Sequence, residues 1–141
     1  MTTWTSHSLA ETFEIAKDFA LRLQPGDKIA LCGELGSGKT HFAKGVIAAL
    51  SDQTVDEIPS PTFTLIEEYL AKTPLYHLDL YRLHKNEELE ELDQDILYGR
   101  EGITLIEWAE RFQNILDHCN YKVSFYKLSI NERKLEIIQL Q

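Results

Sequence analysis

The octapeptide Gly33-Glu34-Leu35-Gly36-Ser37-Gly38-Lys39-Thr40 constrains this chain more than any other segment. It meets the pattern GxxxxGK[ST] at every defined position. It lies between a short apolar run, Lys28-Ile29-Ala30-Leu31-Cys32, and a stretch of helical period in which Phe42, Ala43, Val46, Ile47 and Leu50 share one face. Strand, glycine-rich turn and helix in that order is the context that separates a phosphate-binding loop from a generic turn. Glycines at 33, 36 and 38 let the backbone bring successive N–H groups to phosphate oxygens with no Cβ in the way. The helix start adds unpaired N–H groups and the positive end of its dipole, the Lys39 ammonium reaches the β- and γ-phosphates, and the Thr40 hydroxyl offers an oxygen to Mg²⁺.

A loop of this kind needs a carboxylate for the Mg²⁺ shell, and open α/β sheets present such groups at the C-terminal ends of their strands. Asp79 closes the run Leu75-Tyr76-His77-Leu78 and fits that place, with a turn-capping Asp as the alternative. Glu107 closes a second apolar run, Ile103-Thr104-Leu105-Ile106, where a carboxylate can orient the attacking water or hold the metal through water. Thr62 lies in a segment stiffened by Pro59 and Pro61, placed either as a switch-loop contact to phosphate or Mg²⁺ or as an ordinary loop residue.

The remaining elements follow from periodicity. Ser8-Leu9-Ala10-Glu11 is a capping-box pattern, and Leu9, Phe13, Ala16, Ala20 and Leu23 then recur at helical spacing until Pro25-Gly26, so the spacing predicts an amphipathic helix that opens the domain. Residues 63–69 and 75–80 read as strands, 87–92 as a short acidic helix, and 121–130 with 135–140 as a closing hairpin around Asn131-Glu132-Arg133. With 141 residues and no Pro/Gly/Ser-rich linker, one domain spanning 1–141 is expected.

The formal charge is -9, with 23 Asp and Glu against 14 Lys and Arg. No basic stripe is available to neutralise phosphates, which disfavours tight autonomous binding of nucleic acid and routes any RNA role through partners. The two cysteines, Cys32 and Cys119, have no metal-ligand or CxxC spacing, so a reducing cytoplasm is the expectation. The first residues lack a charged region followed by an apolar one, and no apolar run is long enough to span a bilayer, so neither export nor a membrane anchor is expected.

Four segments in this order, the octapeptide above, Ser60-Pro61-Thr62-Phe63, His77-Leu78-Asp79-Leu80-Tyr81-Arg82 and Ile106-Glu107-Trp108-Ala109-Glu110-Arg111, resemble the pattern of the TsaE (YjeE) family; the acidic stretch Glu88-Leu89-Glu90-Glu91-Leu92 adds to the likeness. The resemblance implies an α/β fold of the P-loop NTPase type, three layers deep, with a central largely parallel sheet, added antiparallel strands and a C-terminal hairpin. It implies slow hydrolysis of ATP with Mg²⁺. It also implies association with TsaD and TsaB, which form threonylcarbamoyladenosine in tRNAs that read codons beginning with adenine. By the same likeness, residues 33–40 hold the phosphates, and Lys39 and Thr40 bind phosphate and Mg²⁺. Thr62 is the switch-loop contact, Asp79 and Glu107 belong to the metal shell, and Glu107 is the residue most tied to hydrolysis. Trp108 is a neighbour that either contacts the nucleotide or fills the core. His41 and Pro59 depart from the family's more usual residues at their positions, and a helix-surface role is expected for His41.

Two other functions fit the motif. A small-molecule kinase would need an acceptor pocket and usually an arginine-bearing lid, and no arginine-rich lid is visible in the sequence. A non-catalytic module would use the nucleotide only to set its shape.

Overall fold

The computed structural model describes residues 1–141. In chain order the elements are β1 (Thr2–Ser6), α1 (Leu9–Ala20), β2 (Lys28–Cys32), α2 (Lys39–Leu50), β3 (Ile66–Tyr69), β4 (Leu75–Asp79), α3 (Asn86–Glu90), α4 (Gln94–Tyr98), β5 (Ile103–Glu107), α5 (Gln113–Asp117), β6 (Tyr121–Lys127) and β7 (Arg133–Gln139), with single 3₁₀ turns at Val55–Glu57 and Ala109–Arg111. No helix is long and apolar enough to cross a membrane.

All seven strands join one sheet in the order β1-β7-β6-β2-β5-β4-β3. The four central strands β6, β2, β5 and β4 run parallel, while β7 and β1 on one side and β3 on the other are added antiparallel. The expected parallel centre with antiparallel flanks and a C-terminal hairpin is therefore present. β2 and β5 are buried at every position, as their continuous apolar runs require of strands covered on both faces.

Alternation along the strands sends side chains to two cores. Ile29 and Leu31 of β2, Leu105 of β5 and Val123 of β6 pack under α1 and α2, whereas Ala30, Leu78, Leu80 and Ile106 face α4, α5 and the segments around them. In the first core Phe19 and Phe42 have ring centroids 5.6 Å apart, and Phe42 meets Phe125 edge-on at 5.3 Å. Burying such a ring contributes up to about 3 kcal/mol each. α1 and α2 approach closely because Gly45 has no side chain; a Cβ there would lie 2.7 Å from the Ala16 Cβ.

Several expectations needed correction. The first element is a strand, β1, paired with β7, and the opening helix follows it. Ser8 caps that helix by accepting from the Glu11 N–H, but the Glu11 carboxylate turns back to the His7 N–H, so only half of the capping box forms. The strand expected over 63–69 starts at Ile66, because Pro61–Leu65 makes a turn in which the Leu65 N–H donates to the Pro61 carbonyl at 2.8 Å and Leu65 adopts φ 71°. The hairpin strands stop at Lys127 and Gln139, and α4 and α5 had no expectation attached to them.

Candidate functional site

The site forms where β2, β4 and β5 end. Parallel register sets Leu31 beside Glu107 and Glu107 beside Asp79, so the two carboxylates stand on neighbouring strands at one level, and residue 33 begins just beyond them. Both carboxylates are buried, on the sheet face covered by α2. α2 starts at Lys39, so Thr40 in its first turn meets that face, and its hydroxyl donates to Glu107 Oε1 at 2.7 Å.

The other Glu107 oxygen, Oε2, lies 2.6 Å from His77 Nε2 in the buried interior of β4. Asp79 Oδ1 accepts the Tyr81 N–H at 2.9 Å. Of the two strand-end carboxylates, Glu107 is thus the one in direct contact with the loop-helix junction, because its strand is the immediate neighbour of β2.

The loop has the backbone that its glycines allow. Gly33, Gly36 and Gly38 have φ of 153°, 77° and 108°. Gly33 is also sterically required, since a Cβ there would lie 2.7 Å from Ser37 Oγ and 2.8 Å from the Phe125 carbonyl. Ser37 Oγ is buried without a hydrogen-bond partner. The loop is anchored at its start and near its middle: the Gly33 N–H donates to Glu110 Oε2 at 2.9 Å, and Arg133 Nη2 donates to the Gly36 carbonyl at 3.3 Å.

Lys39 is buried, and its Nζ donates to the Gly33 carbonyl and, at 3.1 Å, to the Glu34 carbonyl. The same ammonium lies 3.6 Å from the centroid of the Trp108 ring. Burial lowers the Lys39 pKa below the usual lysine value, and the negative charges of Glu110, Glu107 and Asp79 oppose that shift. Trp108 reaches this position because it turns the chain sharply at the end of β5, with φ 64° and ψ 26°. A bulky residue in that left-handed region costs about 1–2 kcal/mol. The ring is held from its surroundings by Tyr81, at a centroid distance of 5.2 Å, and by the Arg111 guanidinium at 4.7 Å; Arg111 also donates to the Tyr81 carbonyl.

These residues line a cavity of about 660 Å³. Its floor holds Ser37, Lys39, Thr40, Asp79 and Glu107, and Leu35, Gly36, Gly38 and Trp108 form further wall. Thr62 also borders it, because the Leu65 carbonyl accepts the Asp79 N–H at 3.0 Å and so ties the proline loop to the end of β4. Gly33 and Glu34 lie at the base of the loop, where their carbonyls engage Lys39. Ser8, Leu9 and Thr12 from the start of α1 and Ile130 and Asn131 from the β6–β7 turn line it as well. His41 is an exposed residue of α2, as expected, and it also borders the cavity; burial of its ring together with Lys44 and Arg133 lowers its pKa.

Sequence reasoning missed four contributors. His77 read only as an interruption of an apolar run, although its position two residues before Asp79 puts both on one face of a strand. Glu110 and Tyr81 sat inside recognised segments without a role, and Arg133 carried no signal, since it reaches the loop across 97 residues. Cys32 and Cys119 are free and buried, each thiol pushed up to about 12 chiefly by burial.

A three-layer α/β sheet whose central strand runs into a glycine loop and helix, with strand-end carboxylates beside it, defines a fold of the P-loop class. Within that class the chain belongs to the TsaE family: residues 6–135 match the family described as threonylcarbamoyl adenosine biosynthesis protein TsaE. It is 36% identical over 133 residues to the tRNA threonylcarbamoyladenosine biosynthesis protein TsaE of Bacillus subtilis, covering 94% of this chain and 82% of that protein. The protein of that name from Rickettsia conorii is 38% identical over 136 residues, covering 95% and 76%. Among solved structures, that of Bacillus subtilis YdiB superposes with a TM-score of 0.75 at 30% identity, covering 99% of this chain and 86% of the other.

Proposed function

We propose that this protein is an ATPase that binds ATP with Mg²⁺ in the cavity at the ends of β2, β4 and β5. It hydrolyses ATP slowly and, together with TsaD and TsaB in the cytoplasm, supports formation of threonylcarbamoyladenosine in tRNA. The observation that carries this reading is the contact of Thr40 with Glu107 at 2.7 Å beneath the glycine loop, which puts a hydroxyl and a carboxylate together at the start of a helix.

The residues present suit that pair of ligands. Ser37 Oγ is a buried polar atom with no partner at the edge of the cavity, so the loop offers unused hydrogen-bond capacity there. A hydroxyl with two carboxylates is a hard oxygen set of the kind Mg²⁺ prefers, with the remaining ligand positions left to water and phosphate. A volume of about 660 Å³ falls in the range of small-molecule sites. When bound, Mg²⁺ neutralises charge on the phosphate oxygens during transfer.

The chain's own residues then divide the work. Backbone N–H groups of residues 36–40 and the α2 dipole bind the phosphates, and Lys39 leaves the carbonyls of Gly33 and Glu34 to pair with phosphate oxygens. Thr40 and Asp79 supply oxygens to the metal shell. Glu107 orients Thr40 and, facing the same cavity, accepts a hydrogen bond from the attacking water. Thr62 closes the γ-phosphate end from the proline loop. Trp108 and the proline loop limit the access of bulk water to that end.

The deciding experiment is Mg²⁺-dependent ATP hydrolysis by the purified chain, alone and with a TsaD–TsaB complex, with Lys39→Ala as the blank. Slow turnover that the complex accelerates supports the proposal. Turnover that the complex leaves unchanged would remove the coupled activity, and none above the blank would reduce the protein to a nucleotide-dependent binding module. Transfer of labelled phosphate to a small acceptor would replace it with a kinase.

A further inference from the structure

The roles assigned above leave the His77 imidazole without one, although it is the group most completely enclosed with the site. Its side chain is fully buried, it shares a sheet face with Asp79, and its Nε2 lies 2.6 Å from Glu107 Oε2 while Thr40 holds Glu107 Oε1. His77 Nδ1 is buried with no hydrogen-bond partner. Together these contacts select the tautomer. Glu107 accepts from Thr40 on one oxygen and needs a donor on the other, so the hydrogen belongs on Nε2. Placed on Nδ1, it would leave a buried N–H unpaired, a rarer and costlier defect than a bare lone pair.

We propose that His77 is a positioning residue for the Mg²⁺ ligand Thr40, acting through Glu107. Donation from Nε2 to Oε2 holds the carboxylate in one rotamer, so that Oε1 takes the Thr40 hydroxyl hydrogen. With that hydrogen directed at Glu107, the lone pairs of Thr40 Oγ1 face the cavity, the orientation that a cation requires. An apolar side chain at 77 would fill the same space yet free the carboxylate to turn, and the hydroxyl hydrogen would no longer have a fixed direction. The effect belongs to metal binding and leaves the phosphate cradle alone, since neither Lys39 nor the loop N–H groups contact His77. Outer partners of metal-orienting groups contribute about tenfold to a hundredfold in metal affinity where this has been measured.

This inference rests on the proposed Mg²⁺-nucleotide site, and the experiment separates the two. ADP binding is measured by calorimetry with Mg²⁺ and with EDTA for the natural chain, His77→Gln and His77→Met. The natural chain should bind ADP more tightly with Mg²⁺. His77→Gln, whose amide nitrogen takes the place of Nε2, should keep most of that gain. His77→Met should lose about tenfold or more of it while binding ADP in EDTA as the natural chain does. If the natural chain binds no ADP, the nucleotide reading falls and this inference with it; if it binds and His77→Met retains the full Mg²⁺ gain, only the role of His77 falls. A long-range ¹H–¹⁵N spectrum of the nucleotide-free natural chain gives a check that does not depend on the variants folding. Hydrogen on Nε2 alone is expected, and hydrogen on Nδ1 would overturn the proposal.

Discussion

Thr40, in the first turn of α2, donates its hydroxyl hydrogen to Glu107 at the end of β5 across 2.7 Å, joining two residues 67 apart in the chain. The bond ties the glycine loop's helix to the end of β5, the strand beside β2. Glu107→Ala removes that acceptor and the carboxylate facing the cavity together. Expected is a fall in ATP turnover on the order of a hundredfold or more, with ADP affinity in EDTA little changed, read from product formation and from calorimetry. Loss of EDTA-state binding in equal measure would point to collapse of the loop instead.

Lys39 and Trp108 give an optical test of the loop. The chain has two tryptophans, so Trp4→Phe leaves Trp108 as the sole indole. If phosphate draws the Lys39 ammonium away from its position 3.6 Å from the Trp108 centroid, adding Mg²⁺ and ADP to that variant should change the Trp108 emission. The change should vanish when Lys39→Ala is added. An identical change in the double variant would mean that the emission reports some other event.

Gly33 and Gly36 differ in what surrounds them, and alanine at each should differ accordingly. Gly33→Ala meets Ser37 Oγ and the Phe125 carbonyl below 3 Å, at a φ of 153°, and should cost about 2 kcal/mol or more of stability. Gly36→Ala has free space and only an unfavourable φ of 77° to bear, so about 1 kcal/mol is expected. Denaturant unfolding of the two variants orders them; equal losses would contradict the close approach at Gly33.

Lys28 is a buried lysine whose pKa is pushed below the usual value chiefly by burial. Its ammonium makes two long contacts, to the Gly102 carbonyl at 3.4 Å and Thr104 Oγ1 at 3.2 Å. Both groups have other partners, Gly102 accepting from the Gly26 N–H and Thr104 donating to the Ile96 carbonyl. Lys28→Met should therefore leave nothing unpaired and stabilise the chain by about 1 kcal/mol near neutral pH. Because the folded pKa lies below the unfolded one, the unfolded chain holds more protons in the interval between them. The natural chain therefore gains stability as pH rises through that interval, and the advantage of Lys28→Met should shrink toward the ordinary lysine pKa. An advantage that stays constant with pH would show that the gain comes from packing alone.

What the sequence determined by itself is local. Strand β2, the loop at 33–38 and α2 over Lys39–Leu50 were legible with their boundaries, because apolar period, glycines and the helix start are written in consecutive residues. So was the placing of Asp79 and Glu107 at strand ends, which needs only the end of an apolar run. β1 was not legible: Thr2–Ser6 is a half-exposed strand with little apolar content, and it forms because the free edge of β7 supplies its hydrogen bonds. The order of strands in the sheet decided that Glu107, on the strand adjacent to β2, meets Thr40, while Asp79 stands one strand further out. Register decided that His77 reaches Glu107 across 30 residues, and the packing of Ala109–Arg111 and of the β6–β7 turn brought Glu110 and Arg133 onto the loop. Each of these contacts joins residues far apart in the chain, and its geometry is set by pairing partners and layer packing that no window of neighbouring residues encodes.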